Sequence, residues 1–163
     1  MAEMLAARGE RQGVAAPPND RSADVAQRLI EAARAFLGTP FVHQGRTPGV
    51  GVDCVGLLEG AARAAGIALP EVRADYARTP DGELERELER YCTRVFDLAL
   101  RRGDVLLLRI YSTRPRHLAL VTDPAPVRII HAYQGAERVA EHQLTAWWRA
   151  RIHSRWRFAE LLR

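Results

Sequence analysis

The chain contains no lysine; all 24 of its basic residues are arginine. That skew fits the coding bias of a GC-rich genome. Cysteine is nearly absent too. Cys54 and Cys92 are the only two, too few for a disulfide scaffold, and no CxxC pair is there to hold a structural zinc. No apolar run reaches the roughly 18 to 20 residues that a membrane helix needs, which speaks against membrane insertion. The opening stretch carries Glu3 and Glu10 and lacks an apolar core of the secretory kind. It predicts a protein made and folded in the cytoplasm, without a general secretion signal. There is no zinc-finger, RNP or P-loop pattern and no internal repeat.

What is present suits one globular domain: 163 residues, 47% of them hydrophobic and 27% charged. The net charge of +4 could favour anionic partners. The arginines, however, are scattered among 20 acidic residues, so a nucleic-acid partner is not expected. Residues 1–20 are small, polar and proline-bearing and predict a mobile arm, with a short helix near Met4 to Arg8. Residues 21–163 form the single domain.

Ser22 is a cap for a helix over 23–37, where Val25, Leu29, Ala32, Ala33 and Phe36 make an apolar face. Gly38 and Pro40 end it. Residues 39–52 are rich in Gly and Pro and predict a surface loop. Asp53 then caps a buried helix that starts at Cys54 and stops at Gly66. A second amphipathic helix is expected over 83–92, with Leu84, Leu88 and Tyr91 on one face. After Gly103 the pattern turns to strands, near 104–110, 118–122, 127–133, 137–142 and 155–161, with a helical turn over 145–151. Helices first and an antiparallel sheet after them read as α+β.

A thiol becomes a nucleophile when ionised, and the positive end of a helix favours the thiolate. Cys54 in a helix's first turn is therefore a candidate nucleophile; a small buried core residue is the other reading of its position. Cys92, at the end of a helix, reads as structural. His117 opens one strand and His131 closes the next, with a turn signal around Pro124 between them. Pairing centred there sets residues 117 and 131 opposite each other. His131 could then orient His117, and His117 could take the Cys54 proton.

In order along the chain stand Phe41 to Gly45, Asp53-Cys54-Val55-Gly56, Gly103-Asp104-Val105-Leu106-Leu107, His117-Leu118-Ala119-Leu120-Val121 and Ile130-His131-Ala132. This series resembles the NlpC superfamily of cell-wall cysteine peptidases, over about residues 24 to 160. The loop His43-Gln44-Gly45-Arg46 and the segment Ala146-Trp147-Trp148-Arg149 look most like a branch found in phages and gene transfer agents. The resemblance implies a pared-down papain-like fold, with the nucleophile's helix packed on a small antiparallel sheet. It implies cleavage of the peptide stem of peptidoglycan, commonly between γ-D-glutamate and a diamino acid. A protein without a signal peptide suits a particle's tail that meets the wall from outside, with other tail proteins as partners.

Two positions depart from the family pattern. Val55 stands where Ser is usual and Phe41 where Tyr is frequent, so two hydroxyls that help hold the free amino end of the stem are missing. The bond cut could differ, or intact stems could be accepted. Phe41, His43, Asp53 and Val55 are the expected substrate-contacting residues, with a loop histidine packed on Arg46 as the other reading of His43, and a cap and loop tie as the favoured role of Asp53. Cys54, His117 and His131 are the expected catalytic set, acting by acyl transfer with no cofactor. A zinc reading of those three lacks a fourth ligand. A structural module of a tail tip, or a thiol amidase or acyltransferase on the same fold, are the alternatives.

Overall fold

The computed structural model describes residues 19–76 and 82–163. The expected short helix near Met4 to Arg8, and almost all of the expected arm, lie outside the described residues.

Helix α1 spans Asp20–Arg34. Its cap is Asn19, not Ser22: the Asn19 side chain accepts from the Ser22 backbone N–H at 2.8 Å. The Ser22 hydroxyl instead donates to the Asn19 carbonyl. Both residues are competent caps, and Asn19 captures the helix three residues earlier. Leu29, Ile30 and Ala33 on its inner face are fully buried.

The Gly-rich segment is more ordered than a surface loop. Strands β1 (Arg46–Thr47) and β2 (Gly51–Val52) pair antiparallel, and Val52 is completely buried. Helix α2 (Cys54–Ala64) follows with Asp53 as its cap. Helix α3 spans Glu83–Tyr91 and buries Leu84 and Leu88. Cys92 does not extend that helix. It opens strand β3 (Cys92–Val95), which pairs with the last strand and which the helical pattern before it masks in sequence.

The remaining strands are β4 (Val105–Leu108), β5 (His117–Pro124), β6 (Val127–Tyr133), β7 (Arg138–Gln143) and β8 (Ile152–Phe158). A short helix α4 (Ala146–Arg149) precedes β8. The six-stranded order is β3-β8-β4-β5-β6-β7, every pair antiparallel. One face, with Val105, Leu107, Leu120, Ile130 and Phe158, packs with the inner faces of α1 and α2. The other carries a smaller cluster of Leu106, Leu108, Ala119, Val121 and Ile129. The α+β architecture is the one expected from sequence.

A buried ion pair ties β8 to the start of β4. Arg157 Nε lies 2.7 Å from Asp104 Oδ1, and Asp104 Oδ2 accepts from the Arg101 backbone N–H at 2.9 Å. The Gly103-Asp104 motif therefore serves the sheet, with Asp104 fully buried.

Candidate active site

Asp53 is the hub of the site's first half. Its Oδ1 accepts from Gly56 N at 2.9 Å, which caps α2. Oδ2 accepts from Gln44 N at 2.8 Å and from the Tyr76 hydroxyl. Arg46 Nη1 lies 3.3 Å from Oδ1 and donates to the Tyr76 hydroxyl oxygen at 3.0 Å. One buried carboxylate thus fixes the loop, the helix start and a distant tyrosine. Gly56 is what lets the loop sit down on the helix: a Cβ there would lie 2.1 Å from the Gly45 carbonyl oxygen.

Cys54 occupies the first position of α2, half-buried. The backbone N–H groups of Leu118, Val55 and Cys54 itself pull its pKa down. Burial, with the Asp53 carboxylate second, outweighs them and pushes the thiol up to about 12. His117 is held down at about 3, by burial first and by the Arg116 charge second. Both shifts favour uncharged forms, so the two groups rest as thiol and neutral imidazole. Cys54 and His117 line one cavity of about 270 Å³. Its walls also carry Phe41, His43, Val55, Tyr76, Arg116 and Tyr133.

The histidine pairing differs in register from the expected one. Val121 faces Ile129 and Leu120 faces Ile130, followed by a bulge toward the turn. Opposite positions therefore sum to 250 by this register, not to the value that sets 117 against 131. The slip is two residues, which preserves the face. His117 and His131 meet as diagonal neighbours, Nε2 to Nδ1 at 2.7 Å. His131 is wholly buried, and burial holds its pKa well below the usual histidine range, with the neighbouring His117 and His142 adding to the effect.

His43 lines the cavity with its Nδ1 4.0 Å from Asp53 Oδ2 and its ring edge-on to Tyr76 at 5.6 Å. Phe41 bridges to Val52, and Val55 lines both this cavity and an apolar one beside it. All seven residues named from sequence thus fall at or against one cleft. Three participants escaped sequence reading. Tyr76 sits in an irregular stretch with no periodic signal. Tyr133 stacks flat on His131, with ring centroids 5.3 Å apart. His142 Nε2 lies 2.8 Å from His131 Nε2; its strand was expected, and only the β6–β7 register reveals the contact. Trp148 packs edge-on against His131 and lies beside His142, while Trp147 is exposed under the Arg151 guanidinium. Among the described residues, no group of three or more His, Cys, Asp or Glu side chains could hold a metal ion.

The model of the NlpC/P60 family matches residues 38–157. No curated protein matches the chain. Among solved structures, a lipoprotein-like NLP/P60 family protein of Staphylococcus aureus is similar, with a TM-score of 0.64 at 19% identity, over 86% of this chain and 43% of that one. NlpC1 of Trichomonas vaginalis gives 0.65 at 14% identity, over 86% and 46%. The peptidoglycan hydrolase RipB of Mycobacterium tuberculosis gives 0.58 at 18%, over 86% and 67%. The chain spans less than half the length of the first two, and at these identities the likeness is one of fold.

Proposed function

The chain belongs to the NlpC/P60 family, and from that premise we propose that it is a cysteine peptidase acting on the peptide stem of peptidoglycan. The observation that carries the reading is the placement of Cys54, at a helix start, in one cleft with a buried His117–His131 pair. His117 Nε2 is engaged by His131, which leaves Nδ1 for the thiol. As the thiol attacks an amide carbonyl, its proton passes to His117. The backbone N–H of Cys54 faces the developing oxyanion. His117 then protonates the leaving amine, and water releases the acyl group. His131 holds the His117 ring in place.

The bond after γ-D-glutamate and before the diamino acid is the proposed point of cleavage. Arg116 supplies a cationic wall for the carboxylates of such a stem. Val55 and Phe41 offer no hydroxyl to a free amino end, which supports acceptance of uncut stems. The His43-Gln44-Gly45-Arg46 loop and the Ala146–Arg149 segment support a place in a phage-like tail that opens the wall from outside. Digesting purified sacculi and released muropeptides, with Cys54→Ala alongside, tests the reading by product mass. New stem fragments from the wild type alone support it, and their masses name the bond. Unchanged substrates with both proteins would contradict it and favour a structural tail module.

A further inference from the structure

The His117–His131 pair does not end at His131. His131 Nε2 lies 2.8 Å from His142 Nε2, and His142 Nδ1 lies 2.9 Å from the Gln143 carbonyl oxygen. Each step crosses one strand diagonally. His131 stands opposite Ala140 and His142 opposite Ile129, so the three rings run in a line over β5, β6 and β7.

A carbonyl oxygen can only accept, and a neutral imidazole carries one donor and one acceptor. His142 Nδ1 must therefore hold the proton, and its Nε2 must accept. His131 Nε2 then donates to His142, and its Nδ1 accepts from His117 Nε2–H. That leaves the lone pair of His117 Nδ1 facing the cleft. We propose that His142 is a positioning residue for the Cys54–His117 reaction: through His131, and anchored on the Gln143 carbonyl, it fixes His117 in the tautomer that can accept the thiol proton.

The same order aligns the imidazole dipoles. His142 and His131 each present a lone pair along the line toward His117, where positive charge develops as the thiol proton arrives. Among the described residues no carboxylate pairs with any of the three rings; the histidine ion pairs are those of His43 and His153. The groups packed against His142 are His131 from β6 and Trp148 from α4. Stabilisation therefore comes from oriented neutral groups rather than from a buried acid. Tyr133 stacked on His131, and Trp148 against both His131 and His142, flank the line; His131 is fully buried and the half-buried His142 is its outer end.

This inference rests on the cysteine-peptidase reading, but its first test needs no substrate. Long-range proton–nitrogen correlation NMR on the full ¹⁵N-labelled chain at neutral pH reads each tautomer directly. The expected pattern is Nε2–H on His117 and His131 and Nδ1–H on His142. Nδ1–H on His131, or Nε2–H on His142, would overturn the proposal. The second test compares His142→Phe, which keeps a ring against Trp148, with His142→Gln, whose amide oxygen can accept from His131. The Phe variant should lose kcat by ~10- to 100-fold, by analogy with the loss when the outer partner of a metal-bound imidazole is removed, with KM unchanged. The Gln variant should recover most of it. Wild-type kcat in the Phe variant would overturn the assignment, as would equal losses in both. If no protein in the series cleaves stems, the proposed function fails, and the NMR pattern still decides the relay.

Discussion

At Cys54 burial outweighs the pull of three backbone N–H groups, at His117 burial favours the neutral ring, and neither residue is charged at rest. In the proposed reaction His117 must be unprotonated to take the thiol proton, and its pKa lies below the ordinary 6.5, at about 3. The acid limb of kcat/KM is therefore expected well below pH 6.5. A pH–rate profile checks this; a limb near the ordinary histidine value would contradict it. Arg116 contributes to the depression through its charge. Arg116→Gln should move the limb upward and raise KM for carboxylate-bearing stems more than it lowers kcat. Thiol alkylation by iodoacetamide at pH 7 should be slow in the free protein, because little thiolate is present. The departures at Val55 and Phe41 were plain in the sequence, as was the candidacy of His131. The partnership of Asp53 with Tyr76 was not, because it joins residues 23 apart across an unpatterned segment.

Among the elements, α2 was the most legible. Asp53 before an alanine- and leucine-rich run, closed by Gly66, is a strong start-and-stop signal. The N-terminal boundary of α1 moved because Asn19 and Ser22 compete for one role. Strand β3 was hidden because Cys92 follows α3 without a break, and a four-residue strand has no alternation long enough to read. The register of β5 with β6 turned on a bulge that no residue pattern announces. Parity saved the site, since a two-residue slip keeps both histidines on one face. Asp53 is where the elements meet, and Asp53→Ala removes the cap of α2 and the anchors of Gln44 and Tyr76 together. Loss of the cap alone costs ~1 kcal/mol, and the Gln44 N–H left without its acceptor adds to it. Urea unfolding should show a loss of about 2 kcal/mol or more, with activity falling alongside. Unchanged stability would mean that the loop is held by other contacts.

On the scale of the whole molecule, the two-layer packing places the start of α2 against the start of β5, with Leu118 N–H reaching the Cys54 sulfur. The order helices-then-sheet was enough to give the fold class, and the motif order enough to give the family. What the chain could not reveal alone was the three-strand line of histidines, which needs two registers at once. That line carries a stability cost at low pH. His117 and His131 are buried with lowered pKa values, so the unfolded chain binds more protons than the folded one below about 6.5. Stability should therefore fall as pH drops through 6.5 toward 3, read as a declining Tm in calorimetry. A flat Tm across that window would mean that the rings are hydrated or charged in the folded state.

The central claim is that Cys54 forms a covalent acyl intermediate, and intact-protein mass spectrometry after acid quench tests it most directly. Mixing the protein with a stem peptide should give a transient mass increase equal to the acyl fragment, mapped to Cys54 after digestion and absent from Cys54→Ala. Turnover without any adduct, continuing in Cys54→Ala, would contradict the account.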